Sequence, residues 1–338
     1  MIYIYYLCIR KNTTDMKKYF LLSIMVAACM AINAKSQMKY YLFIYFTGNA
    51  PEQEQVCYAT SADGFNYTPI NGGKPVIGSD TIAVSKGVRD PHILRGNDGW
   101  FYMVATDMRC SLGWDSNRGI VLMRSRDMIN WEHHTVNFTT RFAGSNFANV
   151  TRVWAPQTIY DAKAGKYIVY FSLLTNDGTI PYDRVYWAYA NKDFSDLESK
   201  PEVLYDYGQA SIDTDIAIDD SGTYHLYFKT EGAKKKGIRQ YTFTDIHKFS
   251  EWKLLPGTFE QTKEDVEGVG LFPLIKGGWC MMYDCYRNHH YQFCKSKDLY
   301  NFEFVANTET KGAFTPRHGT VMQITKKEYK RLINRYNK

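Results

Sequence analysis

Residues 88–106, VRDPHILRGNDGWFYMVAT, pair a short apolar strand opened by an aspartate with an Asp-Gly turn and an aromatic strand. The chain repeats this unit. WAPQTIYDAKAGKYIVYFS begins at Trp154, IDTDIAIDDSGTYHLYFK at Ile212 and VEGVGLFPLIKGGWCMMYD at Val266. A fifth copy is split between the ends, with RHGTVMQIT from Arg317 as its first half and YYLFIYFTG from Tyr40 as its second. Each aromatic strand is followed by a third segment of common cadence: ATSADGFNYT, RSRDMINWE, ANKDFSDLE, TFTDIHKFSEW and KSKDLYNFE. The heads of the units, Asp90, Trp154, Asp213, Glu267 and His318, are 64, 59, 54 and 51 residues apart. Strand-rich repeats of this size predict an all-β fold, a five-bladed β-propeller. Because the split copy joins the two ends in one blade, the ring closes without a free sheet edge.

The composition agrees with a sheet protein, since 16% of the residues are aromatic and such side chains pack well on pleated surfaces. No linker or low-complexity tract breaks residues 37–338, so that span is read as one propeller domain. The net charge of +6 comes from scattered Lys and Arg. Its one tight run, Lys234-Lys235-Lys236, reads as a solvated turn, and no nucleic-acid partner is expected. Residues 137–151 carry no strong strand signal and are expected to be a loop on a propeller face. Residues 326–334, KKEYKRLIN, are expected to be a helical surface tail.

Residues 1–36 read as an upstream segment followed by a secretory signal. The signal begins at Met16 with Lys17 and Lys18, runs through an apolar stretch from Phe20 to Ala28, and ends in small residues. The apolar stretch is shorter than the roughly 20 residues that a membrane-spanning helix needs, so no transmembrane segment is expected. Cleavage after Ser36 would give a periplasmic or extracellular protein. Val26-Ala27-Ala28-Cys29 also fits a lipoprotein signal, which would leave an anchor on Cys29. Five cysteines follow the signal, without CxxC or Cys/His metal spacing. They are expected to be buried fillers, and no metal-ligand set is assigned.

Asp90, Asp213 and Glu267 each stand at the start of an inner strand of a different unit. Inner strands run beside the propeller axis, so their early positions converge on one mouth. Crowded carboxylates push one another's pKa values apart, preparing one group as an acid while another remains a base. Cleavage of a glycosidic bond requires that division of labour. Asp215 lies two residues beyond Asp213 on the same strand face and could exchange roles with it, whereas Glu264 precedes its strand and reads as a loop carboxylate. Trp154 offers an apolar ring face and an N–H to a sugar. His92, Asp107, Trp114, Tyr283, Asp284 and Arg287 lie where they could rim the cavity.

In order, Asp90-Pro91, Trp154-Ala155-Pro156, Ile212-Asp213, Glu267-Gly268 and Arg317-His318-Gly319 resemble glycoside hydrolase family 43, whose five-bladed propellers include α-L-arabinofuranosidases and β-D-xylosidases. The resemblance covers essentially all of the chain after the signal. It implies Asp90 as general base, Glu267 as general acid and Asp213 as the residue that orients the acid and adjusts its pKa. Trp154, His318, Arg317 and Asp215 would bind substrate. The implied reaction is single-step inverting hydrolysis, exo-acting on side chains of plant-type polysaccharides or oligosaccharides, by a monomer whose partner is its carbohydrate substrate. It requires no cofactor, although a structural calcium ion in the central channel, near His318, is also implied.

Fructan-cleaving propellers share Arg89-Asp90-Pro91, but their Asn-Asp-Pro nucleophile motif and Glu-Cys acid motif are absent. The remaining alternatives are an exo-β-1,3-galactosidase of the same fold and a carbohydrate-binding propeller without chemistry. The intact acidic trio argues against the second, because a binding protein needs no acid and base pair.

Overall fold

Short apolar runs punctuated by Gly and Asp-containing turns set the architecture. In the computed structural model the described residues are 38–337, apart from residues 177, 233–235 and 310–311. The predicted signal and Cys29 therefore lie outside the described residues, as do Lys234 and Lys235 of the lysine run. The chain enters on β1 (Met38–Tyr45), β2 (Cys57–Ser61) and β3 (Thr68–Pro69). The first complete blade is β4 (Val88–Arg95), β5 (Phe101–Asp107), β6 (Gly119–Ser125) and β7 (Glu132–Asn137). The second is β8 (Val150–Asp161), β9 (Lys166–Thr175), β10 (Arg184–Tyr189) and β11 (Glu202–Tyr205). The third is β12 (Ser211–Ile218), β13 (Tyr224–Thr230), β14 (Gly237–Phe243) and β15 (Lys253–Leu254). The fourth is β16 (Glu267–Pro273), β17 (Trp279–Cys285), β18 (His290–Ser296) and β19 (Glu303–Glu309). β20 (Gly319–Thr325) then returns to lie beside β1.

The result is five four-stranded sheets, the fifth ordered β20-β1-β2-β3, as the split repeat predicts. The innermost strands close a ring: β20 packs on β4, β4 on β8, β8 on β12, β12 on β16 and β16 on β20. The fold is a five-bladed β-propeller.

Side-chain alternation explains why the middle strands are apolar on both faces. On β1, Leu42 and Ile44 enter the cluster shared with the first blade, while Tyr41, Phe43 and Tyr45 enter the one shared with the fourth. Likewise Phe101, Met103 and Ala105 of β5 face one neighbour, and Tyr102 and Val104 face the other. Every blade is thus sandwiched. Each fully buried side chain of this kind contributes about 1.5–3 kcal/mol.

The shared cadence after the aromatic strands is a side-chain-stapled turn. Asp63, Asp127 and Asp298 each accept two backbone N–H groups and an Asn side chain, from Asn66, Asn130 and Asn301. One residue of each turn is left-handed: Gly64, Met128 and Leu299, with Phe194 in the corresponding turn of the second blade. Met128, Phe194 and Leu299 are buried between blades, where packing offsets the backbone strain.

Two expectations are corrected. Residues 137–151 are not merely a surface loop, because Asn137 caps a short helix (Phe138–Arg141) whose Phe138, with Phe142 and Val150, fills the groove between the first two blades. The C-terminal segment is a helix (Lys326–Tyr336) with a Thr325/Glu328 capping box, and it is not a solvated tail. Leu332 is fully buried, Tyr329 stacks on Tyr40 at 4.0 Å, and Arg95 pairs with Glu328 at 2.7 Å. The helix therefore covers the junction where the ring closes.

Candidate active site

Four inner strands carry the same β-bulge near their starts. In each, two residues oppose one on the partner strand: Asp90-Pro91 against Ala105, Ala155-Pro156 against Phe171, Asp213-Thr214 against Phe228, and Gly268-Val269 against Tyr283. The first residue of each pair is left-handed, with φ of 50° at Asp90, 46° at Ala155, 52° at Asp213 and 62° at Gly268. A bulge bends its strand and re-aims the side chains around it.

This geometry corrects the assumed equivalence of the repeat heads. Asp90 and Asp213 occupy the bulge, whereas Trp154 and Glu267 lie one residue earlier, in the ladder position of Arg89 and Ile212. Two tiers result. The outer contains Arg89, Trp154, Ile212 and Glu267, and the inner contains Asp90, Ala155, Asp213 and Gly268. From the fifth blade, Arg317 bonds the outer tier and His318 approaches the inner. Asp90, Asp213, Glu267, Trp154, Arg317 and His318 all line one cavity of about 290 Å³.

In the inner tier the His318 Nδ1 atom lies 3.4 Å from Asp90 Oδ1 and 3.5 Å from Asp213 Oδ1. Thr106 Oγ1 donates to Asp90 Oδ2 at 2.8 Å and accepts the Ala155 N–H at 2.9 Å. The Gly268 N–H donates to Asp213 Oδ2 at 2.8 Å. A Cβ at Gly268 would stand 2.8 Å from the His318 ring, so glycine is required there for contact as well as for φ.

Burial works against charge on Asp90, but the His318 bond and charge, Arg89 and Thr106 outweigh it and hold the carboxyl below its ordinary range. Asp213 is pushed up, first by burial and then by the Glu267 and Asp90 charges. Burial opposes a charged His318, yet Asp213, Asp90 and Glu267 raise it to about 9, so the imidazole is a cation at neutral pH. His92 falls to about 3 through burial and the His318 charge.

In the outer tier Arg317 bridges Glu267, at 2.5 Å from Nη2, and Asp284, at 2.6 Å from Nε. Burial, only partly offset by Arg317, raises Asp284 to about 7. Trp114 and Trp154 meet edge to face at 6.2 Å, and Arg152 stacks on Trp154 at 4.4 Å. Trp114 is half exposed and forms an apolar rim.

Asp215 does not reach the cavity. It is buried, accepting the Leu271 N–H at 2.6 Å and the Ile216 N–H at 2.8 Å, and so clamps the third blade to the fourth. Of the other rim candidates, Asp107 holds the Val84 and Ser85 N–H groups, Tyr283 lies in the core, and Arg287 pairs with Asp265 outside. Thr106, Phe46 and Tyr286 were not singled out from sequence. Thr106 is found only through its ladder pairing with Arg89, because it is sixteen residues from Asp90 in the chain.

Calcium takes six to eight oxygen ligands, whereas the fifth blade presents the His318 imidazole to the cavity. A calcium ion near His318, as the resemblance implies, would therefore be held through water and not by the histidine directly.

The profile of a glycosyl hydrolase 43-related family, described as a probable glycosyl hydrolase domain, matches residues 36–330. An α-L-arabinofuranosidase of Bifidobacterium longum subsp. longum is 29% identical over 210 residues, covering 54% of this chain. The match spans only 18% of that protein. The GH43 protein BlXynB of Bacillus licheniformis, in a mutant form, superposes with a TM-score of 0.54 at 15% identity, covering 86% of this chain and 55% of its own. An endo-1,4-β-xylanase of Bacteroides thetaiotaomicron gives 0.55 at 12% identity, covering 83% and 93%. At such identities the structural likeness is one of fold.

Proposed function

Because the chain belongs to the glycosyl hydrolase 43-related family, we propose that it is an exported, exo-acting glycosidase that releases α-L-arabinofuranosyl or β-D-xylosyl units with inversion. The observation that carries this reading is the pair of tiers in one cavity. Asp90, held ionised beside His318 and Thr106, is suited to take a proton from water. Glu267, in the next tier and bonded by Arg317, is suited to protonate the leaving oxygen once that oxygen replaces the arginine contact. Asp213 fixes the Gly268 backbone beside Glu267 and so orients the acid. Inversion requires the two working carboxyls to be about 6.5–9.5 Å apart, leaving room for the water.

The choice of a pentose draws on the arabinofuranosidase likeness and on cavity size. At about 290 Å³ the cavity is at the small end of ligand sites, which favours one terminal sugar ring over a long chain. Trp114 and Trp154 would provide its apolar wall. The test is a screen of the purified protein on para-nitrophenyl pentosides and hexosides and on natural arabino- and xylo-oligosaccharides, run with Glu267→Gln. Release of pentose is expected, with Glu267→Gln far more damaging on the natural glycosides than on the nitrophenyl substrates, whose leaving group departs without protonation. Equal losses on both substrate types would remove Glu267 from the acid role.

A further inference from the structure

Next to Tyr286, which lines the cavity, Glu264, Cys285 and His290 bring one ligand atom each to within 4.8 Å of one another. Their spacing in sequence is no metal motif; the sheet assembles them. Cys285 ends β17 and His290 begins β18, and the two are direct cross-strand partners, so their side chains leave the same face of a rigid ladder. Glu264 approaches from the segment leading into β16, with its Oε2 3.1 Å from His290 Nε2.

The local bonding aims lone pairs at a common point. His290 Nδ1 lies 3.2 Å from the Asn288 carbonyl oxygen, which accepts its N–H and leaves the Nε2 lone pair facing Glu264. That is the backbone support by which metal-binding histidines are usually oriented. Glu264 Oε2 and His290 Nε2 are both buried, and neither has a hydrogen bond of good geometry. The third group is the Cys285 sulfur, fully buried and in no disulfide. The Cys285 thiol already bonds the Glu264 carboxylate, and a cation at the same point would engage the sulfur, the imidazole nitrogen and the carboxylate oxygen together.

We propose that Glu264, Cys285 and His290 form a binding site for a zinc-class divalent ion, with water as fourth ligand. Metal–ligand bonds of about 2.0–2.3 Å imply tetrahedral edges of roughly 3.3–3.8 Å. The 3.1 Å nitrogen–oxygen separation is slightly shorter than such an edge, and the sulfur, within 4.8 Å of both atoms, would move inward to complete the site. One thiolate, one imidazole and one carboxylate select zinc or cobalt over calcium or magnesium. On binding, the Cys285 S–H bond breaks, its proton leaves to solvent, and the sulfur electron pair forms the metal bond. The ion would tie the turn carrying Tyr286, which lines the cavity, to the segment that leads into Glu267. It takes no part in hydrolysis, and the site stands whether or not the glycosidase reading does.

Titration of the whole protein with Co²⁺, followed by absorption spectroscopy and by competition with Zn²⁺, tests the site. One equivalent should bind with a thiolate-to-cobalt charge-transfer band and intense tetrahedral d–d bands, and Zn²⁺ should displace it. Cys285→Ser should abolish the charge-transfer band, and His290→Ala should weaken binding by at least about tenfold. Because Cys285 is buried, His290→Ala and Glu264→Gln serve as the folded variants, checked by metal-free melting. No thiolate band in the wild type would overturn the proposal. So would a band that survives Cys285→Ser, or affinity unchanged in His290→Ala and Glu264→Gln, which would put the ion elsewhere, as at the adjacent His133 and His134.

Discussion

The first and third blades use their inner-strand bulge differently from the second and fourth. All four bend at the same ladder position and hold a left-handed residue there, but that residue is Asp90 or Asp213 in one pair and Ala155 or Gly268 in the other. The backbone is thus a repeated device, and chemistry depends on what occupies it. Where the bulge carries no acid, the outer tier compensates: Trp154 stands before Ala155 and Glu267 before Gly268. The proposed acid, Glu267, and the proposed base, Asp90, are therefore offset by one strand position as well as by blade.

The comparison breaks most severely if an acidic bulge is neutralised. Asp90→Asn should lower kcat by roughly 10²–10⁴-fold on every cleaved substrate, whatever its leaving group, because the water loses its base. Steady-state rates on a nitrophenyl and a natural glycoside check this, and a loss confined to one of them would contradict it.

Gly268→Ala and Ala155→Gly probe the other pair. The first sets a Cβ against the His318 ring at a left-handed backbone and should destabilise by at least about 1–3 kcal/mol, with loss of activity. The second relieves strain while loosening the unfolded chain, and should change stability by less than about 1 kcal/mol. Urea unfolding of both variants measures the asymmetry.

A smaller effect follows from the cation between the acids. The folded-state value of His318 is raised to about 9, so its stabilising contribution is complete below its ordinary value of 6.5 and is lost as pH rises through about 9. Melting temperature in wild type should fall across that window. In His318→Gln the fall should be shallower, and parallel curves would show that His318 does not carry the dependence.

The smallest functional effect is expected at Asp215, which shares a strand face with Asp213 but serves the ladder. Asp215→Ala leaves the partly buried Leu271 N–H without its acceptor and should cost about 1–3 kcal/mol. The folded variant should retain kcat within a few-fold, as thermal melts and rates at low temperature would show.

Much of this was legible in the sequence because strand periodicity is local. The runs at Tyr167 and Tyr224 and their Gly turns announce strands, and the split repeat announces ring closure. The C-terminal helix could have been placed too, since Tyr329, Leu332, Ile333 and Tyr336 fall on one helical face. The one-residue offset of Glu267 was not legible. A bulge adds an unpaired residue without altering the hydrophobic pattern, so counting from repeat heads aligns the wrong positions. Nor could spacing reveal that Asp215 is spent on backbone groups, or that Glu264 meets Cys285 and His290, because those meetings are set by pairing between strands.

In the proposed reaction Asp90 activates a water and does not itself attack the sugar. Proton NMR of the first-formed product, recorded before mutarotation, tests it most directly. The arrangement predicts a first sugar of inverted anomeric configuration. A product of retained configuration, or a trapped glycosyl-enzyme intermediate, would contradict it.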